Sequence, residues 1–271
     1  MTFFDKRDPF WVLYPLQLNA NGAAFMENTI LVTLSRQITL QRKMEVIANN
    51  MANMNTAGFK SDELKFEEYL TPVPSVEGFK GTDKQVKFVI DPHMVRNLSQ
   101  GAQRQTGREL DVALGGEGWM VVKTPQGDRF TRNGQLKLSG EGTLVTSEGY
   151  PVQGEGGDIT FEANETNIVI GKDGTISTSQ GTKDQLRIVE FENPQLMKKQ
   201  GDSLYTSNEA SGENQNTTVT QGAYETSNVQ SMKQMTEMIE TVRAYTSVSK
   251  MLEATDESRG KAIEQLGNPP R

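Results

Sequence analysis

The chain lacks the residues on which several kinds of catalytic and metal site depend. Its 271 residues include no cysteine and a single histidine, His93. Disulfides, thiolate metal sites and Cys–His catalytic pairs are therefore excluded, and one histidine cannot form a zinc-binding histidine cluster. The sequence has no run of about 18 apolar residues, the length a transmembrane helix requires. We expect no enzymatic activity, no cofactor, no bound metal and no membrane insertion.

Charge and hydropathy narrow the class of protein further. The formal net charge is −7, and Lys and Arg are spread along the chain without a basic run. Because nucleic-acid-binding proteins normally carry a basic patch, we expect no nucleic-acid partner. Hydrophobic residues make up 35% of the chain, below the usual share of a globular domain. This composition is typical of a chain whose helices pack on a partner.

A long amphipathic helix is predicted over residues 28–55, within an N-terminal helical segment at 26–60. Its narrow apolar stripe predicts packing against another element. A second stripe adjoins it nearer the start, at Leu31, Leu34 and Ile38. The main seam steps by four and three residues, as in a coiled coil. This seam consists of Leu40, Met44, Ile47, Met51 and Met54.

Four asparagines cluster near the end of this helix, at Asn49, Asn50, Asn53 and Asn55. Asparagine is a poor helix former, so the cluster is consistent with fraying and capping. An alternative is that the amides of Asn49 and Asn53, four residues apart, bind neighbouring backbones and fix the helix register. Gly58 follows where a left-handed helix terminator is expected.

A second amphipathic helix is predicted at the other end of the chain, within residues 225–271. Ser227 or Asn228 is placed to cap its start. Its seam again has heptad spacing, and we expect both seams to pair as a coiled-coil-like element. The seam of this helix consists of Met238, Val242, Tyr245, Ser249 and Leu252.

The middle of the chain has the pattern of a β domain over residues 106–205. Glycines punctuate short segments rich in apolar residues, and Asn133-Gly134 predicts a two-residue hairpin. Asp111 lies between apolar residues, and Arg108 or Arg132 is its expected partner. The sequence therefore predicts an α+β chain with long terminal helices and a central antiparallel all-β domain, a sandwich or barrel-like structure.

Three remaining segments are predicted to be less regular. Residues 61–105 have a mixed, linker-like pattern, and residues 206–224 form a polar linker. Residues 1–25 carry no coherent secretory signal, since Asp5 and Asp8 interrupt its basic start. We interpret 1–25 as a disordered extension or as the product of a start codon assigned too far upstream.

Two strings resemble the terminal signatures of the rod and hook axial proteins of the bacterial flagellum. They are ANNMANMNTAGF at residues 48–59, followed by Lys60, and QGAYETSNV at residues 221–229. The strings LDVALGGEGWMVV (110–122), TRNG (131–134) and LVTSEGYPVQG (144–154) resemble that family's core motifs. The segment at 26–50 looks most like the proximal-rod subtype. A distal-rod or hook subunit is the alternative within the family, and a secreted coiled-coil structural or adhesive protein is the alternative outside it.

The resemblance implies a structural subunit of the flagellar rod. Terminal helices of many subunits would pack as an inner tube, with the β domains outside, and the rod would transmit torque from motor to hook. It also implies unfolded export through the flagellar export apparatus without a cleaved signal, a position in the basal body across the periplasm, and other rod subunits as partners.

The resemblance and the seams together designate two sets of site residues. The β-domain core motif comprises Leu110, Asp111, Val112, Trp119, Thr131, Arg132 and Gly134. The expected assembly residues are Leu40, Met44, Ile47, Asn49, Asn50, Met51, Asn53, Asn55, Gly58, Phe59, Glu225, Ser227, Asn228, Val229, Met238, Val242, Tyr245 and Leu252.

Overall fold

Two long helices flank a region of β-strands. The computed structural model describes residues 20–65, 68–72, 85–89, 93–213 and 216–267. Helix α1 spans Ala20–Ala52 and helix α2 spans Ser231–Gly267. Every pairing between the described strands is antiparallel. The predicted α+β class is therefore confirmed.

The two helices pack against each other in antiparallel directions. The side-chain amide of Gln37 donates to the hydroxyl of Tyr245 at 3.2 Å, while Asn50, further along α1, donates to the side chain of Gln234 at 3.3 Å. Residue numbers therefore increase along α1 in the direction in which they decrease along α2, so the two helices are antiparallel. The pairing predicted from the two seams is confirmed as a contact between α1 and α2.

The described residues after α1 include five short strands, in the segment predicted to be a mixed linker. They are β1 (Asp62–Lys65), β2 (Glu68–Pro72), β3 (Gln85–Val89), β4 (His93–Arg96) and β5 (Gln103–Gln105). Strand β1 pairs with β4, and β2 pairs with β3. The segment is thus more regular than its prolines and glycines indicated.

The β domain consists of many short strands. They are β6 (Val112–Gly115), β7 (Trp119–Thr124), β8 (Gly127–Thr131), β9 (Leu136–Leu138), β10 (Leu144–Thr146), β11 (Gln153–Gly154), β12 (Gly157–Asp158), β13 (Val169–Ile170), β14 (Thr175–Thr178), β15 (Gly181–Gln185), β16 (Ile188–Glu190), β17 (Lys198–Lys199), β18 (Leu204–Thr206), β19 (Gly212–Glu213), β20 (Thr218–Gln221) and β21 (Ala223–Glu225). The largest sheet has six strands in the order β17-β18-β8-β7-β16-β19.

Strand β7 separates the two apolar clusters of the domain because its side chains alternate between the sheet faces. Met120 and Val122 point into the larger cluster, which also contains Leu136. Trp119 belongs to the smaller cluster, where its ring meets that of Tyr205 edge-on at a centroid distance of 4.7 Å. This smaller cluster lies next to the segments that lead to the helices.

The predicted polar linker at 206–224 is largely β structure. Strand β20 pairs with β6, and β21 pairs with β5. Val219, Ala223 and Tyr224 are buried among exposed polar neighbours. The average composition of the segment conceals these few apolar residues, so composition alone predicts a linker.

Asn133-Gly134 does not form the predicted hairpin. Strand β8 pairs with β7 and β18, whereas β9 pairs with β10. The carbonyl of Gly134 instead accepts a hydrogen bond from the Val112 amide at 2.9 Å. A Cβ added at Gly134 would lie 1.6 Å from the Val112 carbonyl oxygen, so glycine is required for close approach of two backbones.

The helix boundaries differ from the predicted ones at both ends. Helix α1 begins at Ala20, inside the predicted 1–25 extension, because Ala20, Ala23 and Ala24 favour helix. Residues 1–19 lie outside the described part. Helix α2 begins at Ser231 and not near residue 225, since the chain up to Glu225 is held in β21.

Candidate functional site at the junction of the two chain ends

The N-terminal string forms the end of α1 and a tight turn after it. The Asn53 side chain donates to the Asn49 carbonyl at 2.8 Å, and Thr56 donates to the Asn53 side chain at 3.2 Å. Gly58 has φ of +68°, and a Cβ there would lie 2.4–2.5 Å from backbone atoms of Arg132 and Asn133. Glycine is therefore needed at position 58 both for the left-handed conformation and for space.

The amide that fixes the position of α1 belongs to Asn50. Its side chain donates to the Asp62 carbonyl at 2.8 Å and accepts from the Asp62 amide at 3.1 Å. Asn49 and Asn55 are exposed, and Asn53 bonds only locally. Of the two amides predicted to fix the register, that of Asn53 caps the Asn49 carbonyl at the end of α1, whereas the buried amide of Asn50 makes the long-range contact.

Three charged side chains from distant parts of the chain meet in a buried cluster. Glu225, at the end of β21, accepts from Lys60 at 2.6 Å and from Arg132 at 3.1 Å. The Lys60 and Glu225 side chains are 0% and 1% exposed. The Gly101 amide also donates to Glu225, at 2.8 Å. We call Lys60, Arg132 and Glu225 the junction triad.

A second, partly buried ionic group lies beside the junction triad, with the Lys199 side chain 24% exposed and that of Asp62 8% exposed. Lys199 on β17 contacts a carboxylate oxygen of Asp62 at 2.6 Å and donates to the Lys60 carbonyl at 2.8 Å. Its ammonium also lies 4.0 Å from the centre of the Phe59 ring. Arg96 approaches the other oxygen of Asp62 at 3.4 Å. The N-terminal string is thereby bound to the β domain through ionic, hydrogen-bond and cation–π contacts.

Burial sets the protonation behaviour of the junction. It lowers the pKa of Lys60, an effect that the neighbouring Glu225 carboxylate opposes. Burial also lowers the pKa of Lys199, against the influence of Asp62. The phenol of Tyr205, which lies beneath Arg96, has its pKa raised to about 12, chiefly by burial. Each of these charges is therefore costly to hold unless its partners are in place.

Asn228 of the C-terminal string connects three segments. Its side-chain oxygen accepts from the Ser61 amide at 2.8 Å, and its side-chain nitrogen donates to the carbonyls of Asn97 at 2.8 Å and Ser99 at 3.0 Å. The prediction that Ser227 or Asn228 caps α2 is wrong, since the helix begins at Ser231. Asn228 is already occupied in holding the two chain ends together.

The core-motif residues lie in the β domain and include Arg132, its contribution to the triad. Asp111 is fully buried and accepts from Thr106 at 2.6 Å, with Arg108 at 3.6 Å. Arg132 stacks over the Trp119 ring at 5.2 Å. The Thr131 hydroxyl donates to the Ser203 carbonyl at 3.0 Å. Of the two partners expected for Asp111, Arg108 is the one nearby, because Arg132 is bound to Glu225.

The helix seams lie close to where they were predicted, with one shift of register. On α1 the side chains of Leu40, Met44, Ile47 and Met51 are buried or half-buried, but Met54 is exposed. On α2 the half-buried residues Met238, Tyr245 and Leu252 share a face with the buried residues Gln234, Thr241 and Val248.

Val242 is not part of the seam within one chain. Its side chain is 44% exposed, whereas the neighbouring Thr241 is 3% exposed. Starting from Met238, a step of three to Thr241 and a step of four to Val242 both continue a heptad pattern. Apolarity favoured Val242, but Thr241 is buried with its hydroxyl donating to the Glu237 carbonyl at 2.6 Å.

Each helix also exposes an apolar stripe away from its partner helix. The α1 stripe consists of Leu31, Leu34 and Ile38. The α2 stripe consists of Met232, Met235, Ile239 and Val242. Steps of three and four residues place each set on one helix face. Apolar faces of this kind are typical of surfaces that pack on another protein.

Comparison with known sequences matches these regions one by one. The family described as "Flagella basal body rod protein" matches residues 30–60, which include most of α1 and the turn after it. "Flagellar hook protein FlgE/F/G D1 domain" matches residues 113–178 of the β domain. "Flagellar basal body rod FlgEFG protein C-terminal" matches residues 220–265, which include β21 and most of α2.

Full-length relatives agree with these matches. The flagellar basal-body rod protein FlgF of Caulobacter vibrioides is 38% identical over 246 residues, covering 89% of this chain and 99% of the relative. FlgF of Rhizobium meliloti is 30% identical with the same coverage. FlgG of Bacillus subtilis is 33% identical, covering 83% of this chain and 93% of the relative.

The chain belongs to the flagellar basal-body rod protein family, a family of structural and non-enzymatic subunits. Its similarity to the FlgF relatives extends over nearly their whole length, and it is an FlgF-like rod subunit. Among the described residues, neither long helix contains an apolar stretch sufficient for a membrane span. The same residues include no cluster of acidic and histidine side chains placed to hold a metal ion.

Proposed function

We propose that this rod subunit is built into the flagellar axis through the α1 stripe and the α2 stripe, which pack on neighbouring rod subunits. The exposure of these apolar side chains along an otherwise polar helix pair supports the proposal. Burying one large apolar side chain contributes about 1.5–3 kcal/mol. Seven such residues per subunit provide a substantial driving force once neighbours cover them.

The junction triad gives the subunit a way to transmit torque. Lys60 continues from α1, Glu225 leads to α2, and Arg132 belongs to the β domain. Because all three side chains are buried, a change in their relative position leaves a charge uncompensated in the interior. Rotation applied to the helix pair is thereby carried to the β domain, which would lie outside the axial tube.

The proposed location is the proximal rod, between motor and hook. Its similarity to FlgF relatives supports this location, and other rod subunits are the proposed partners. We further propose that the flagellar export apparatus carries the chain unfolded, without a cleaved signal, into the periplasm-spanning axis. The absence of cysteine supports that route, because refolding at the destination requires no disulfide formation.

The assembly proposal is tested by adding a charge to the α2 stripe. Val242→Asp should be exported but absent from purified basal bodies, and a deletion strain carrying it should not swim. Val242 is exposed in the single chain, so folding is preserved, whereas a buried carboxylate between subunits would be unpaired.

Ser247→Asp is the matched control, because Ser247 is exposed on the same helix but away from the stripe. That strain should swim. Normal motility and incorporation of Val242→Asp would show that the α2 stripe is not an assembly contact. Electron microscopy of the basal bodies would show whether the defect lies at the rod.

A further inference from the structure

The described methionines of this chain differ widely in exposure. Met120 and Met197 are buried in the β domain at 0% and 3% exposure. Met232 and Met235, at the start of α2, are 75% and 49% exposed. Three residues apart on a helix, these two side chains lie on the same face and make up half of the α2 stripe. Two oxidisable sulfurs therefore belong to the surface proposed for assembly.

We propose that Met232 and Met235 form a modification site at which peroxide oxidation prevents packing of the α2 stripe. Each thioether sulfur attacks one oxygen of hydrogen peroxide, the O–O bond breaks, and the products are a sulfoxide and water. The sulfur loses two electrons, and the peroxide accepts them. A methionine sulfoxide reductase supplied with thiol reductant would reverse the reaction.

The sulfoxide changes the stripe in the direction that opposes assembly. A flexible apolar side chain becomes a polar one with a strong hydrogen-bond acceptor. In the single chain both side chains are exposed, so oxidation costs the folded subunit little. Between subunits the same group would be buried without a partner. This effect on assembly rests on the proposed role of the α2 stripe.

Other methionines are also exposed, but Met232 and Met235 differ from them in belonging to the α2 stripe. Met94 lies on β4, and Met251 lies on α2 nine residues beyond Val242 and on a different face. Both are exposed. They will react with peroxide as well, but their sulfoxides lie outside the α2 stripe. Met94 and Met251 therefore serve as chemically matched controls.

The chemical step is tested on the purified full-length chain. After brief exposure to hydrogen peroxide, peptide mass spectrometry should show oxidation of Met232 and Met235 at least about tenfold faster than that of Met120 and Met197. Equal rates at all four sites would overturn the proposal, because the exposed pair would then have no preferential reactivity.

The effect on assembly is tested in a deletion strain, with glutamine as a polar substitute for the sulfoxide. The Met232→Gln/Met235→Gln strain should lose motility and rod incorporation, while the Met94→Gln/Met251→Gln strain should keep both. If the first strain swims while Val242→Asp does not, this inference fails and the proposed assembly role stands. If the first strain and Val242→Asp both swim, the assembly role itself is wrong.

Discussion

The junction and the two apolar stripes distribute polarity in opposite ways. The junction buries charge at 0–3% exposure, in positions where a globular core normally holds apolar side chains. The stripes expose large apolar side chains on a surface that is otherwise charged. Buried ion pairs are directional and contribute little net stability, whereas apolar faces are non-directional and favour association. The contrast indicates that the interior of the subunit fixes orientation, while its exterior provides the affinity for neighbours.

Removing the central carboxylate should give the largest effect. Glu225→Gln leaves Lys60 and Arg132 buried with a neutral partner, and we expect a loss of about 3–5 kcal/mol in the free energy of unfolding. Chemical denaturation of the full-length chain measures it. Glu240→Gln, at an exposed position of α2, should stay within about 0.5 kcal/mol. A loss no greater than that of Glu240→Gln would refute the importance assigned to the triad.

Gly58→Ala should come next, because it combines a left-handed backbone with a steric clash against residues 132 and 133. We expect a loss of about 2–4 kcal/mol. Gly107→Ala is the matched control: Gly107 has φ of +71°, but an added Cβ there meets no atom within 4 Å. It should lose only about 1–2 kcal/mol. Equal losses in the free energy of unfolding would mean that the steric clash at position 58 adds nothing to the cost of placing alanine in the left-handed conformation.

The buried phenol should make the junction sensitive to alkali. Below pH 10, Tyr205 is protonated in both folded and unfolded chains. Between about pH 10 and 12 the unfolded chain releases the phenolic proton while the folded chain keeps it, so the free energy of unfolding falls. The full loss is about 3 kcal/mol, since one pKa unit corresponds to about 1.4 kcal/mol. Comparing Tyr205→Phe with the unchanged chain across this range isolates the effect, and a constant difference would contradict it.

The smallest effect should come from the α2 stripe. In the isolated chain, Val242→Asp should change the free energy of unfolding by no more than about 0.5 kcal/mol. Val248 lies six residues further on, on the face that packs against α1, and is 8% exposed. Val248→Asp should therefore lower the free energy of unfolding by at least about 2 kcal/mol. If the two substitutions lower the free energy of unfolding equally, Val242 packs in the seam against α1. The α2 stripe could then not be contrasted with the interior as an exposed apolar surface.

Local sequence patterns predicted the elements better than their contacts. Heptad spacing located both helices, and the glycine-punctuated apolar segments correctly indicated a region of short strands. The choice between Thr241 and Val242 depended on which face meets α1, and a threonine that satisfies its hydroxyl within its own helix fits there as well as valine. Periodicity alone does not decide between them.

The junction was only partly predictable for a different reason. Arg132 and Glu225 both lie in strings that resemble family motifs, but 93 residues separate them and no spacing rule relates them. Lys199 and Asp62 carried no signal at all, because isolated charges in strands are usually solvated. Burial alone distinguishes these residues, and burial follows from the whole fold.

The pairing of β5 with β21, and of β6 with β20, has a practical consequence for observing the rod at work. The chain enters and leaves the β domain on paired strands, so the domain is an insertion between the two helices of an antiparallel pair. A fluorescent tag placed in the exposed turn before Gly181, between β14 and β15, would extend the β domain without altering the strand pairs through which the chain enters and leaves it. Such a reporter would make the rotation of the shaft visible from its outer side.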